Sequence, residues 1–374
     1  MEIKGSVDSK FTKVKELFEV LHSDGKEVGS SFAVYKNGEP LVDIWGGYAD
    51  AKKTKQWERE TLATVWSTTK GVAAITCALA VQRGLLDYDK KVSTYWPEFG
   101  CEGKEDITVG MLLSHQAGIC GAQTNNEQDF YNQKLMASKL ASMKPIWKPG
   151  SASGYHSMTF GWLISELILR VTGKSLGIYY REEIANSRDI NFYIGLPQSQ
   201  ESNVAEMIPF DRSENNANQV ADMNDAAKAS AAGPNLLKVQ NTREWRACEI
   251  PSANGQGSAS GLAKLYSFIV PSNPSLKILE DKTIEKMTRT QIEGKDLVLG
   301  VVTRWGAGLV MNKHKVIYGP VAESFGHSGF GGSCAFGDPV NRIGISYVMN
   351  KMKNNFAADG RSVSLINATY DCLN

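Results

Sequence analysis

The chain has 374 residues, 42% of them hydrophobic, with 41 basic and 40 acidic side chains; it can bury a substantial core and has no net field to attract nucleic acid or an anionic membrane. It lacks the run of about eighteen apolar residues that a membrane span needs, and Met1 to Ser6 lacks the apolar run of a signal peptide, so a cytoplasmic protein is expected. Its six cysteines (Cys77, Cys101, Cys120, Cys248, Cys334, Cys372) show no C-x-x-C spacing, which argues against a zinc site or disulfide framework and for buried free thiols.

Residues 11–21 place Phe11, Val14, Leu17, Phe18 and Leu21 on one helical face. Two β-rich runs, 30–35 and 40–46, flank Asn37-Gly38, a hairpin signal. Residues 71–84 are almost free of charge and stop at Gly84, the pattern of a buried central helix. The stretch 66–260 reads as mostly helical and loop-like. Within it, 198–256 is polar with little periodicity, either a long loop region over a cleft or a plain surface excursion. The end returns to β-rich runs at 307–311, 316–318, 333–336 and 343–349, with a final helix around 362–370. One hairpin cannot stand alone, so the N-terminal pair should join the C-terminal strands. The expected fold is α/β (α+β): an antiparallel sheet flanked by helices, built from 1–65 and 261–374, around a mainly helical lobe 66–260 with the active site between them.

At the head of the central helix, Trp66-Ser67-Thr68-Thr69-Lys70-Gly71 sets a hydroxyl and an amine three residues apart on one face. A serine hydroxyl needs a base to act as a nucleophile, and a lysine one turn away serves if burial lowers its pKa. The helix N-terminus would favour an oxyanion beside Ser67. A serine before a lysine at a helix start is also ordinary capping chemistry, so two further segments decide. Gly154-Tyr155-His156-Ser157 places a tyrosine at a loop-to-helix junction, where a nearby ammonium can make it a general base. The glycine-rich Phe325-Gly326-His327-Ser328-Gly329-Phe330-Gly331-Gly332-Ser333 allows a ligand close to the backbone, with N–H groups for an oxyanion hole.

With these segments in this order, the chain resembles the serine β-lactamase and penicillin-binding-protein superfamily, whose motifs are S-x-x-K, Y-x-N or S-x-N, and K-T-G. More narrowly it is similar to the class C-like branch that includes family VIII carboxylesterases, related transesterases and animal β-lactamase-like proteins. Gly84-Leu85-Leu86-Asp87, Leu112-Leu113-Ser114-His115 and Tyr155-His156-Ser157-Met158 carry that likeness, which spans roughly residues 10 to 370. The resemblance implies that Ser67 is acylated, that Lys70 and Tyr155 shuttle its proton, and that the N–H groups of Ser67 and Phe330 form the oxyanion hole. It implies no metal and no cofactor. His327, Ser157 and Gly329 would line the substrate side. Two departures matter: Ser157 replaces the usual asparagine, and His327 replaces the lysine of K-T-G, so a permanent cation becomes a group mostly neutral at pH 7. Both point away from substrates with free carboxylates and towards neutral esters.

No E-x-x-L-N segment supplies a separate deacylating glutamate. The α/β-hydrolase elbow G-x-S-x-G is absent too, since 150–154 and 257–261 both read G-S-A-S-G. His115 reads as a structural hydrogen-bonder at a helix end, and His156 as pointing away from Tyr155. Three functions follow for a small-molecule ester or amide substrate: ester hydrolysis through an acyl-serine, with or without acyl transfer; β-lactam or D-amino-acid peptide cleavage; and a scaffold of the same fold without turnover. Oligomeric state is not legible from spacing.

Overall fold

The computed structural model describes residues 2–121, 124, 126–210, 223–315, 317–355 and 359–373. The chain opens with β1 (Ile3–Val7), α1 (Thr12–Ser23), β2 (Gly29–Lys36) and β3 (Glu39–Gly47). Asn37 and Gly38 have φ of 54° and 80°, the left-handed pair of a tight hairpin, and join Lys36 to Glu39. α1 buries Val14, Phe18 and Leu21, as its periodicity predicts.

β4 (Ala63–Thr64) leads into α2 (Thr68–Gln82), which is buried from Thr68 to Ala80 and closes at Gly84, φ 73°. β5 (Phe192–Tyr193), β6 (Gln256–Gly257), β7 (Ile292–Lys295), β8 (Val302–Trp305), β9 (Val310–Met311), β10 (Phe325–Ser328), β11 (Cys334–Asp338) and β12 (Ile343–Met349) follow. One antiparallel sheet runs β1-β3-β2-β12-β11-β10-β9-β8-β7, and β4-β6-β5 form a small second sheet. The β2–β12 pairing, Tyr35 opposite Gly344 through Ser30 opposite Met349, joins the two ends of the chain in one sheet as the hairpin argument required.

Helices cover both faces, which is why β2 is buried at every position but Lys36. α1 packs with the helix Gly360–Leu373 on one side, and α2 and the helix Ala259–Ile269 lie against the other. A Cβ on Gly344 would sit 2.1 Å from the Ala263 carbonyl, so the sheet receives that helix at backbone contact. This antiparallel sheet with flanking helices is the expected β-lactamase-like fold. The helix Ala259–Ile269 crosses the boundary drawn at 260/261.

Several local expectations shift. The run 307–311 is a strand only at Val310–Met311, because Gly308 turns at φ 81° against Ala74. In 316–318, Val316 lies outside the described residues and Ile317 and Tyr318 form a bend. The polar region 198–256 carries short helices at Asp225–Ala231, Leu236–Val239 and Arg243–Ala247, each started by an Asn or Thr cap; its portion 211–222 lies outside the described residues. Among the described residues no helix is long and apolar enough to cross a membrane, and no cluster of His, Cys, Asp or Glu could hold a metal. All six cysteines are free.

Candidate active site

Ser67 stands at the N-cap of α2, yet its hydroxyl makes no capping bond. Capping therefore does not account for it. The residue before it, Trp66, holds φ 48°, a left-handed conformation unusual for a tryptophan, and its indole packs on Trp245 and Phe330 at 5.7 Å each. The N–H groups of Thr68, Thr69 and Lys70 donate to the carbonyls of Val65, Trp66 and Ser67 at 3.2, 2.9 and 3.0 Å. Those three donors are spent within the turn, so an oxyanion beside Ser67 draws on N–H groups other than these.

Lys70 is fully buried and donates to the carbonyls of Ser157 at 2.8 Å and Ser252 at 2.7 Å, with Ser67 Oγ at 3.0 Å. Among the described residues no carboxylate accompanies it, and desolvation holds its pKa well below the lysine value. As a neutral amine its two N–H bonds go to the two carbonyls, and its lone pair faces the Ser67 hydroxyl. Ser252 was not expected at the site. Its own hydroxyl donates to the Met158 carbonyl at 2.8 Å, and Gly255 N–H donates to Thr69 Oγ1 at 3.0 Å, which ties 252–255 to α2. Only the small residues around Asn254 and Gly255 hinted at such close approach.

The Tyr155 ring lies beneath Lys70 Nζ, 4.7 Å from its centroid, and its phenol hydrogen-bonds Ser67. Burial drives its pKa upward despite that bond, and the nearby Asp296 charge adds to the rise. A phenolate stabilised by a lysine ammonium was the expectation; the burial of both groups favours a neutral phenol beside a neutral amine. Trp305 stacks on the ring at 5.8 Å and 11°, and His115 meets its edge at 4.9 Å. Asp296, also not foreseen, is buried and accepts from the N–H groups of Tyr155, Val298 and Leu299 through Oδ1, at 3.0, 2.9 and 3.0 Å. It fastens the tyrosine's backbone. His115 accepts from the His156 N–H at 3.2 Å, and His156 turns away to donate from Nδ1 to the Gly154 carbonyl at 2.7 Å.

On the opposite wall, His327 on β10 is buried and donates from Nδ1 to the Ser328 carbonyl at 2.8 Å. Desolvation, the largest cause, lowers its pKa to about 3, so the imidazole is neutral throughout the physiological range. Its ring stacks 6.1 Å from Tyr155. Ser157 meets Lys70 through its carbonyl and is half-buried. At Gly329 a Cβ would lie 2.1 Å from the Val65 carbonyl, so only glycine lets the β10–β11 turn touch the strand entering Ser67. Ser333 Oγ donates to that same carbonyl at 2.8 Å and lies 3.0 Å from Thr68 Oγ1. Phe330, at the turn's tip, is thereby set against Trp66.

The structure therefore brings Ser67, Lys70, Tyr155, Ser157, His327, Gly329 and Phe330 to one place. A family profile described as Beta-lactamase matches residues 14–368. The chain is 32% identical over 362 residues to Esterase/beta-lactamase LipL of Mycobacterium tuberculosis, covering 93% of this chain and 83% of that one. A crystal structure of a family VIII carboxylesterase superposes with TM-score 0.93 at 43% identity, covering 100% of both chains. A penicillin-binding protein homologue from Caulobacter crescentus does so with TM-score 0.91 at 38% identity, again over 100% of both. With the fold, the S-x-x-K helix and a match over nearly its whole length in agreement, this chain belongs to the beta-lactamase family of serine hydrolases.

Proposed function

We propose that the protein cleaves small, uncharged carboxylic esters through an acyl-Ser67 intermediate. The observation that carries this reading is Lys70, whose two carbonyl partners leave one valence aimed at Ser67 Oγ, 3.0 Å away. The neutral amine takes the Ser67 proton as Oγ attacks the ester carbonyl. The backbone N–H groups of Ser67 and Phe330 receive the developing oxyanion. Collapse of the tetrahedral intermediate expels the alcohol oxygen, which takes a proton from the Tyr155 phenol, and the Lys70 ammonium beside it returns that proton to the tyrosinate. Water, or another alcohol for acyl transfer, then repeats the sequence in reverse on the acyl-enzyme. On this reading the substrate enters between an α/β layer that includes the helix Ala259–Ile269 and the mainly helical part of the chain before it.

Ester rather than β-lactam specificity rests on His327. It is neutral and already bonded to the Ser328 carbonyl, so no cation awaits a substrate carboxylate at that position. Ser157 likewise offers no amide to orient an acylamino chain. Resemblance to a family VIII carboxylesterase over the full length supports the same reading. The test is turnover of a short-chain p-nitrophenyl ester by the wild type and Ser67→Ala side by side, with nitrocefin in parallel. Ester turnover falling at least about 10³-fold in the variant supports acyl-Ser67 chemistry. An active variant, or nitrocefin preferred over the ester, overturns it.

A further inference from the structure

On the side of the oxyanion turn away from Ser67 lies a buried charge cluster that the chemistry above does not use. Arg361, 4% exposed at the start of the helix Gly360–Leu373, donates from Nη1 to Glu27 Oε2 at 3.0 Å and from Nη2 to Asp359 Oδ2 at 2.5 Å. Glu27 is wholly enclosed and also accepts from the Tyr347 phenol. The same Nη2 donates to the Gly331 carbonyl at 3.1 Å, and Nη1 donates to the Lys351 carbonyl at 2.9 Å. The guanidinium thus links α1's end, the helix Gly360–Leu373 and the glycine turn, using the planar fork that lysine lacks.

That turn is gripped from two directions. On the Ser67 side, Ser333 Oγ binds the Val65 carbonyl, and Gly329 N–H donates to the Ser333 carbonyl at 2.7 Å. On the far side, the Gly331 carbonyl accepts from Arg361 and from Lys353 N–H at 3.0 Å, while Gly331 N–H donates to the Asn355 carbonyl at 2.9 Å. Gly331 and Gly332 hold φ of 95° and 126°, and a Cβ on Gly332 would stand 2.3 Å from Asp359 Oδ2. The carboxylate of the cluster therefore packs directly on the turn's backbone. Phe330 lies between the two grips.

We propose that Arg361, braced by Glu27 and Asp359, is a positioning residue that fixes the Phe330 N–H at its distance from Ser67 and so sets the oxyanion hole. This rests on the acyl-Ser67 reading above. A buried ion cluster is weak evidence for stability, since desolvation offsets its attraction, but it specifies one geometry. A displacement of an oxyanion donor by a fraction of an ångström weakens the transition state while leaving ground-state binding nearly intact.

The experiment compares wild type with Arg361→Lys, which keeps a cation near both carboxylates but cannot span Glu27, Asp359 and the Gly331 carbonyl together. Turnover of a p-nitrophenyl ester is normalised to Ser67 sites titrated with a p-nitrophenyl alkylphosphonate, whose tetrahedral phosphoryl oxygen needs the same donors. The expected result is a fall in kcat per titrated site of about 10- to 100-fold, with KM within about threefold and phosphonylation slowed by a matching factor. A folded variant with kcat per site and phosphonylation rate both within about twofold of wild type overturns the proposal, whatever its melting temperature. If Arg361→Lys does not fold, Asp359→Asn is judged by the same two rates. Wild type turning over without need of Ser67 sinks the acyl-serine reading itself, whereas a Ser67-dependent wild type beside an unaffected variant sinks only the role of Arg361.

Discussion

Lys70 Nζ approaches Ser67 Oγ to 3.0 Å, with the Ser157 and Ser252 carbonyls completing its hydrogen bonds. Its base form must be free for catalysis, and burial lowers its pKa, so kcat/KM should climb with pH along one acid limb and level off well below the ordinary lysine range. Arginine stays protonated at any working pH, so Lys70→Arg should lose about 10³-fold in kcat and Lys70→Met should do the same. A pH–rate profile and initial rates check both. Lys70→Arg retaining more than about a tenth of wild-type turnover would remove Lys70 as the base.

His327 makes a prediction of opposite kind. Its pKa lies near 3 and that of His156 near 4, each held down chiefly by burial, so neither should contribute a limb to the ester profile between pH 6 and 8. Because a neutral ring meets the substrate where a lysine would stand, His327→Lys should raise the ratio of nitrocefin to ester kcat/KM by about tenfold. The ratio is the quantity to read, since both absolute rates will move. An unchanged ratio would show that carboxylate discrimination resides elsewhere in the cleft.

Legibility differed by the kind of signal. The α2 helix, the Asn37-Gly38 hairpin and the three motifs were readable because each depends on contacts within a few residues: an apolar run, a left-handed turn pair, a three-residue spacing. Ser252 and Asp296 were not, since they act on Lys70 and Tyr155 through partners 182 and 141 residues away, and one of them offers only a main-chain carbonyl. Strands β4 to β6 are two residues each and exist only by pairing with segments distant in sequence, which leaves no period to detect. The protonation of Tyr155 was not legible for a related reason. Spacing can place an amine near a phenol but cannot tell that both are stripped of water.

The sheet supplies a sharper comparison of two glycines that face each other across β11 and β12, Gly337 and Gly344. A Cβ on Gly344 would meet the Ala263 carbonyl at 2.1 Å and Ser267 N at 2.5 Å, both backbone atoms of a packed helix. At Gly337 the nearest atoms are side-chain carbons of Tyr266 and Val270 at 3.4 and 3.5 Å, ordinary contact. Gly344→Ala should therefore cost about 3 kcal/mol or more, while Gly337→Ala stays within about 1 kcal/mol. Urea denaturation of the two variants tests this, and equal losses would mean the helix can yield.

Acid stability should be governed by buried neutral histidines. His22 and His156 are lowered to about 4 and His327 to about 3, each first by desolvation, against about 6.5 in the unfolded chain. A group depressed in the folded state contributes its full stability above pH 6.5 and loses it as pH falls towards the folded value. At pH 5 each has forfeited on the order of 2 kcal/mol, a sum comparable with a typical folding free energy, so unfolding is expected between about pH 4 and 5. His22 allows a clean dissection, because it sits on α1 against Phe18 and Ser30, away from Ser67. His22→Phe should lose a little stability at pH 7 by stranding the Ser30 hydroxyl, yet narrow the difference in unfolding free energy between pH 7 and pH 5 by about 2 kcal/mol. Should that difference match wild type, His22 is already protonated in the folded protein and the acid sensitivity has another source.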